Sequence, residues 1–262
     1  MKEIPKKIIT LKKKEAANVP VSSPLGDGLI RLNRYISNAG ICSRRDADKL
    51  ISEGLVSVNG QLVTELGHKV TLADEIIFDG KRLNPERKVY ILLNKPKGFM
   101  TTSDDPHADR TVMELVSNAC TERIYPVGRL DIQTTGLLLF TNDGELTTKL
   151  THPSYEKKKV YHVELDRDLT PEDLEKITTG IELEDGLIVA DDIHRIDPED
   201  ARQVGIEIHS GKNRIVRRIF EHFGYHVEKL DRVLFAGLTK KDLPRGRYRF
   251  LTDQEINFLK MS

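Results

Sequence analysis

The feature that most constrains the fold is an uninterrupted run of large apolar residues, Leu137 to Phe140, with a polar loop directly before it. An apolar run of this kind predicts a strand that is buried on both faces. The run is closed by Thr141-Asn142-Asp143-Gly144, a segment typical of turns. Upstream, Ile124-Tyr125-Pro126-Val127 predicts the end of another strand. The loop between the two strands is therefore expected to be anchored at both ends.

The anchored loop begins with Gly128-Arg129-Leu130-Asp131 and carries one carboxylate between two core strands. Loops held by a rigid scaffold often bear binding and catalytic groups, which makes Asp131 a candidate functional residue. The alternative interpretation is an aspartate that caps a turn. Position alone leaves both interpretations open.

Length and composition narrow the class of protein. The chain of 262 residues is long enough for one large domain, or for a small domain and a medium one. Its 31% charged and 38% hydrophobic residues are typical of a soluble protein, and no apolar run reaches bilayer-spanning length. The basic N-terminus lacks the apolar stretch of a secretory signal. Only two cysteines occur, Cys42 and Cys120, which argues against structural zinc and fits a reducing cytoplasm.

The formal net charge of zero conceals a strong segregation of charge along the chain. Residues 163–203 hold fourteen acidic and four basic residues, whereas residues 205–249 hold eleven Lys or Arg and five acidic residues. The first twenty residues hold six lysines and two glutamates. One interpretation is a face for a polyanion and another for solvent. The other is a solvated acidic helix and hairpin beside an ordinary basic helix.

Three segments are predicted from the patterning. Residues 1–28 are expected to form a basic, flexible tail and linker that could add an RNA contact. Residues 29–85 predict two helices, the second capped by Ser43, and a hairpin at Asn59-Gly60. Residues 86–262 mix strands and helices without regular strand–helix–strand units, which predicts an α+β domain. Its late helix, from about Asn213 to Phe223, is expected to carry three arginines off the core-facing stripe: Arg214, Arg217 and Arg218.

The segment from Arg31 to Gly60 resembles an S4 RNA-binding domain. The resemblance rests on a Ser-Arg-Arg-Asp-Ala turn into the second helix and a Val-Ser-Val-Asn-Gly hairpin. It implies that the basic face of the helix pair binds structured RNA. The basic residues near this face are Arg34, Arg44, Arg45 and Lys49.

The chemistry of the remaining segment is narrowed by motifs that the sequence lacks. It contains no metal-ligand cluster, no Gly-x-x-x-x-Gly-Lys-Ser/Thr phosphate loop, no Gly-x-Gly-x-x-Gly and no Gly-x-Ser-x-Gly elbow. The paired carboxylates of ordinary glycosidases are also missing, since only Asp131 has a strongly placed loop position. A single aspartate with arginine neighbours and an aromatic residue on a nearby strand suits glycosidic chemistry on a nucleotide.

Over nearly all of residues 29–255 the chain resembles the bacterial ribosomal RNA pseudouridine synthases that carry an S4 domain. The most specific motif is Gly-Arg-Leu-Asp followed by Thr-Thr-Gly-Leu-Leu-Leu-Phe-Thr-Asn-Asp-Gly-Glu-Leu. Further matches are Asn94-Lys95-Pro96-Lys97-Gly98, Lys159-Val160-Tyr161 and the late-helix segment from Gly211 to Arg218. The resemblance implies a catalytic domain with a mixed, largely antiparallel sheet flanked by helices.

The implied activity is conversion of uridine to pseudouridine in ribosomal RNA without cofactor or metal. The N1–C1′ bond breaks, the base turns in the pocket, and C5 bonds to C1′. The motif flanks resemble large-subunit enzymes more than small-subunit ones, and the target uridine stays open. The alternative is an S4-type RNA-binding or ribosome-assembly protein whose catalytic fold serves as a binding scaffold. A monomer is expected, with ribosomal RNA as partner and no membrane association.

The resemblance also implies roles for individual residues. Asp131 is the catalytic carboxylate, acting either as a nucleophile at C1′ or as a base at C2′. Arg217 is its expected ion-pair partner, which would favour the ionised carboxylate. The alternative for Arg217 is a further phosphate-binding arginine. Tyr161 stacks on the extruded base, and Leu230 packs the pocket. Arg129 is expected to touch RNA near the extruded nucleotide, and the expected phosphate contacts are Lys212, Arg214 and Arg218.

Overall fold

The computed structural model describes residues 28–103 and 109–262. Most of the predicted tail, residues 1–27, therefore lies outside the described residues. The chain divides into two compact units, the first ending at Leu83 and the second beginning at Asn84. Residues Asn38–Ile41 group with the second unit. Each unit has its own hydrogen-bonded strands and is described by itself.

The first unit combines two short helices with short antiparallel strands. One four-stranded sheet has the order β3-β2-β5-β6, and β1 pairs with β4. The elements are β1 (Ile30–Arg31), α1 (Leu32–Asn38), α2 (Arg44–Ser52), β2 (Val56–Val58), β3 (Gln61–Leu62), β4 (Lys69–Val70), β5 (Ile76–Phe78) and β6 (Lys81–Arg82).

Local sequence explains where these elements begin and end. The Ser43 side chain accepts a hydrogen bond from the backbone N–H of Asp46 and so caps α2, as predicted. Asn59 and Gly60 both have positive φ, 51° and 80°, as a two-residue hairpin turn requires. The predicted hairpin between β2 and β3 is therefore confirmed.

The second unit is built on a nine-stranded sheet with the order β13-β14-β10-β15-β9-β7-β17, to which β8 and β16 add at the side. Strands β9 and β15 pair in parallel, and the other strand pairs are antiparallel. The first half comprises β7 (Tyr90–Lys95), β8 (Tyr125–Val127), β9 (Thr135–Thr141), α3 (Gly144–Thr151), β10 (Lys159–Leu165) and α4 (Pro171–Thr179). The second half comprises β11 (Ile181–Leu183), β12 (Gly186–Ile188), β13 (Asp192–Arg195), β14 (Gln203–Ile208), α5 (Ile215–His222), β15 (Val227–Phe235), β16 (Leu238–Thr239), β17 (Tyr248–Phe250) and α6 (Asp253–Met261).

The central strand β9 is buried on both faces, as its apolar run predicts. Leu138 and Phe140 belong to one hydrophobic cluster, and Leu137 and Leu139 belong to a second cluster. All four side chains are fully buried. Because two clusters lie on opposite faces of the strand, its position is fixed from both sides, and so is the end of the loop that precedes it.

Two expectations about the second unit differ from the structure. Helix α5 begins at Ile215 rather than near Asn213, because Arg214 has a φ of 49° and lies outside the helical region. Arg217 was expected off the core stripe, yet it is only 7% exposed. No helix within residues 28–103 and 109–262 combines the length and hydropathy needed to cross a bilayer.

Candidate active site

The loop that carries Asp131 is held by its own backbone and by a buried lysine. The Thr134 N–H donates to the Asp131 carbonyl over 3.0 Å. The Lys95 Nζ atom donates to the carbonyl oxygens of Asp131 (3.0 Å) and Thr134 (2.9 Å), and over 3.3 Å to those of Ile132 and Pro96. These bonds fix the backbone on both sides of the carboxylate.

Lys95 is the last residue of β7 and is 0% exposed. Burial lowers the pKa of its ammonium group to about 8, although the charge of Asp131 opposes the shift. In the sequence this lysine stood out only as part of the Asn-Lys-Pro-Lys-Gly motif. Its position two residues after the apolar run from Tyr90 to Leu93 was the local signal that the side chain would be buried.

The other end of the loop depends on Gly136. Strand β9 pairs in parallel with β15 there, and Gly136 lies opposite Arg232. A Cβ atom at position 136 would lie 2.3 Å from the Arg232 carbonyl oxygen and 2.5 Å from its nitrogen, and φ is 109°. Only glycine fits this close approach of two backbones. The glycine of the Thr-Thr-Gly motif thus lets β9 join β15 directly after the loop.

A pocket of about 160 Å³ opens beside Asp131. Its volume is below the range of about 300–1,000 Å³ typical of pockets for drug-sized ligands, so it suits a single ring rather than a large molecule. Tyr161 from β10 and Leu230 from β15, both nearly buried, contribute to its wall. The predicted site residues that line this pocket are Arg129, Asp131, Tyr161, Lys212, Arg214 and Leu230.

A wider cleft of about 860 Å³ also borders Asp131. Arg217 lines this cleft rather than the small pocket, and Arg129 and Arg214 line both. Lys97, from the turn after β7, also lies along the cleft. The site thus offers a small pocket and a larger cleft with cationic walls, and both include the same half-buried carboxylate.

The ion pair at Asp131 differs from the expected one. Arg214, predicted as a phosphate contact, places Nη1 3.7 Å from the carboxylate. Arg217 instead donates from Nη1 to the Val227 carbonyl over 2.7 Å, because its side chain is drawn into the interior of the domain. Burial lowers the pKa of Arg217, with Arg214 adding to the shift and Asp131 opposing it. Asp131 therefore has two guanidinium groups nearby, and Arg214 is the nearer partner.

Two other expected phosphate contacts have protein partners. Arg218 donates from both Nη atoms to the carboxylate of Asp185, at 2.9 and 2.5 Å. Lys212 donates to the Asp185 carbonyl over 2.7 Å. Asp185 lies in the turn between β11 and β12, and these cations lower its pKa to about 2. RNA phosphates would have to compete with this aspartate for both side chains.

The predicted RNA-binding residues of the first unit lie on α1 and α2. Arg44 and Arg45 are exposed in the first turn of α2, and Arg34 is partly exposed on α1. Lys49 is exposed and forms an ion pair with Asp46 over 3.0 Å. Such exposed pairs contribute little to stability, so Lys49 can exchange its partner for a phosphate at small cost.

The structure adds two pocket residues that sequence reasoning missed, Lys159 and Arg232. Burial lowers the pKa of Lys159 to about 8, and the charge of Arg232 adds to the shift. Both residues lie on core strands, where the sequence alone gives no sign of a polar environment. Across the described part of the chain, no three His, Cys, Asp or Glu side chains form a cluster that could hold a metal ion.

Comparisons with known proteins agree with this architecture. The RNA pseudouridylate synthase family model matches residues 89–222, and the S4 domain model matches residues 30–76. Ribosomal large subunit pseudouridine synthase B of Bacillus subtilis is 42% identical over 88% of this chain and 95% of its own length. The dual-specificity RNA pseudouridine synthase RluF of Escherichia coli is 35% identical over 88% of this chain and 79% of its own length.

A solved structure supports the same assignment. The crystal structure of a pseudouridylate synthase matches with a TM-score of 0.64 at 29% identity, covering 88% of this chain and 99% of the other. The predicted S4 domain, the α+β class and the predicted family are thereby confirmed. The chain belongs to the RNA pseudouridylate synthase family and carries an S4 domain.

Proposed function

We propose that this protein converts a specific uridine of large-subunit ribosomal RNA to pseudouridine, with Asp131 as the catalytic group and without a cofactor. The observation that carries the proposal is the half-buried Asp131 carboxylate at the edge of a ring-sized pocket lined by Tyr161. The choice of large-subunit RNA is supported by a relative at 42% identity that is named for the large ribosomal subunit.

In the proposed reaction, Asp131 acts as a carboxylate on the ribose of the target nucleotide. It either attacks C1′ or removes the proton from C2′, and both roles require the ionised form. The guanidinium group of Arg214 lies 3.7 Å from this carboxylate, and Arg217 is the second arginine nearby. Lys95 keeps the loop backbone rigid, so the carboxylate is positioned before the substrate arrives.

The remaining wall of the pocket is proposed to hold the base. A uridine inside a duplex must leave the stack before its sugar can react, and an aromatic surface replaces the lost stacking. Tyr161 supplies that surface, and Leu230 packs against the base. Arg129 is exposed at the border of pocket and cleft, where it can contact the RNA backbone.

We assign recognition of the surrounding RNA to both predicted domains. Residues 29–85 would bind structured RNA through Arg34, Arg44, Arg45 and Lys49. Residues 86–262 would hold the target strand along the cleft beside Asp131, where Lys212 and Arg214 can meet phosphates. Arg218, which pairs with Asp185, would supply a further phosphate contact. Affinity from such contacts is electrostatic and falls with salt.

The test is to map pseudouridines in ribosomal RNA from cells with and without the gene. We expect one or a few large-subunit positions to lose the modification and to regain it when the wild-type gene is restored. An unchanged map would refute the proposal. If ribosome assembly nevertheless failed in the deletion strain, the binding-scaffold alternative would be favoured.

A further inference from the structure

Arg232 is a buried cation in the wall of the pocket that contains Asp131. The residue is 3% exposed. Its Nε donates to the Leu137 carbonyl over 2.8 Å, and its guanidinium carbon lies 4.5 Å from the centre of the Phe235 ring. The Nη2 atom is buried and has no hydrogen-bond partner among the described residues. The guanidinium is therefore held firmly, with one donor nitrogen left unused.

Apart from the exposed Arg129, the other cations of the pocket have partners within the protein. Lys159 donates to three carbonyl oxygens, those of Lys157, His209 and Ser210. Arg214 pairs with two carboxylates and Lys212 with one. Within the described residues no carboxylate lies within 4.0 Å of the Arg232 guanidinium.

Burying a charge without a partner is unfavourable, and such groups are concentrated at functional sites. A buried guanidinium with an unused donor therefore indicates a partner that arrives with the substrate. Since the Arg232 side chain lines the pocket, we expect the partner to be an acceptor on the group that enters the pocket. The Nη2 atom, which is buried in this structure, would meet that acceptor once the substrate is bound.

The position of Arg232 relative to the base follows from the sheet. In the antiparallel pair of β10 and β15, Arg232 lies directly opposite Tyr161. Residues directly opposite in such a pair have Cβ atoms about 4.5–5.5 Å apart and lie on the same face. The guanidinium is therefore a neighbour of the ring proposed to stack on the base, and the Gly136 contact fixes its backbone.

The reaction creates a need for such a donor. When the N1–C1′ bond breaks, the bonding electron pair stays on the uracil, whose N1, O2 and O4 then share one negative charge. This holds whether the carboxylate forms a bond to C1′ or takes the C2′ proton. The charge leaves the base when C5 bonds to C1′, because the carboxylate is then released from C1′ or returns its proton to C2′. The C5 proton then leaves, and N1 takes up a proton to give neutral pseudouridine. A fixed donor aimed at developing negative charge in a dry site accelerates the step that creates it.

We propose that Arg232 is a further catalytic residue, whose guanidinium donates from Nη2 to a carbonyl oxygen of the target uracil and stabilises the departing uracil anion. This inference rests on the proposed function of the same site. A phosphate oxygen of the extruded nucleotide is the other acceptor that could meet this guanidinium, and the experiment distinguishes the two.

The experiment compares wild-type full-length protein with Arg232→Gln and Arg232→Lys under single-turnover conditions. The substrate is a short RNA containing the uridine identified by mapping. We expect Arg232→Gln to slow conversion about 100-fold, the typical effect of removing one such donor, with RNA affinity within threefold. Arg232→Lys is expected to be intermediate. Lys229→Gln, an exposed change on the same strand, is the control and should react at the wild-type rate.

A second substrate separates catalysis from a structural role. In 6-azauridine the base is more acidic and leaves more readily, while C5 keeps its hydrogen. If Arg232 stabilises the departing base, the deficit of both variants should shrink at least fivefold with this substrate. Equal deficits with both substrates would overturn the proposal. Weakened RNA binding with an unchanged single-turnover rate would also overturn it and would indicate a phosphate contact.

Two controls keep the outcome decisive. If thermal melting shows that Arg232→Gln is unfolded, Arg232→Lys carries the test through the same comparison of substrates. Failure of the proposed function can be told apart from failure of the Arg232 inference, because the proposed function predicts loss of conversion when Asp131 is replaced. An inactive Asp131 variant together with a fully active Arg232→Gln variant would refute the role of Arg232 alone.

Discussion

The role of Lys95 gives the sharpest structural prediction. Its Nζ atom donates to carbonyl oxygens on both sides of Asp131 and is fully buried. Replacement by Met keeps an unbranched apolar side chain of similar length but removes the ammonium group, and with it all of these hydrogen bonds. Breaking a buried charged network typically costs about 3–5 kcal/mol. Since Met also removes the cost of burying an ammonium group, we expect the lower end, about 3 kcal/mol.

The measurement is urea denaturation of the full-length protein, followed by circular dichroism. Lys97→Met, an exposed change in the adjacent turn, is the control and should alter the free energy of unfolding by less than about 0.5 kcal/mol. Hydrogen exchange over residues 128–135 should be faster in Lys95→Met than in wild type. Its turnover should fall at least tenfold, because the carboxylate is no longer held in one position.

A Lys95→Met protein with wild-type stability and wild-type exchange in residues 128–135 would refute the positioning role of Lys95. That result would mean that the two flanking strands position the loop without help from the ammonium group. Loss of stability with unchanged turnover would refute only the link between loop rigidity and catalysis.

Three further predictions follow from the same geometry. Gly136→Ala should destabilise the protein by about 3 kcal/mol or more, whereas Gly246→Ala, at positive φ but in open space, should cost about 1 kcal/mol in the same denaturation assay. Burial alone would raise the pKa of Asp231, but the hydrogen bonds and charges of Arg245 and Lys240 outweigh burial and lower this pKa to about 2. Ionised Asp231 therefore stabilises the fold fully above pH 3.8, the ordinary pKa of an aspartate, and this stabilisation is lost as the pH falls through 2. Between pH 5 and 2, wild type should therefore lose about 2 kcal/mol more than Asp231→Asn, and parallel pH profiles would contradict this. Arg44→Ala combined with Arg45→Ala should weaken RNA binding and reduce its salt dependence, and an unchanged salt slope would exclude these phosphate contacts.

Local patterns predicted much of the fold. The apolar run from Leu137 to Phe140 became a strand buried on both faces, and Asn59-Gly60 formed the expected hairpin. Ser43 caps α2 by accepting from the Asp46 N–H, as the sequence pattern predicted. These features depend on neighbouring residues, so the sequence contains the information needed to predict them.

Long-range contacts account for what the sequence did not reveal. Whether Arg214 or Arg217 pairs with Asp131 depends on where α5 begins and on the Val227 carbonyl, which lies ten residues after Arg217. The burial of Arg232 depends on the parallel pairing of β9 with β15 across about a hundred residues of chain. The motif resemblance identified the segments that form the site, but only the folded structure shows where each side chain points.

The most direct test of the central claim is pseudouridine formation by purified Asp131→Asn protein. Asparagine keeps the size of the side chain but can act neither as the nucleophile nor as the base. With large-subunit ribosomal RNA as substrate, we expect no conversion above background, while the dissociation constant stays within a few-fold of wild type. Conversion at a rate near that of wild type would contradict the account, because the carboxylate would then not carry the reaction.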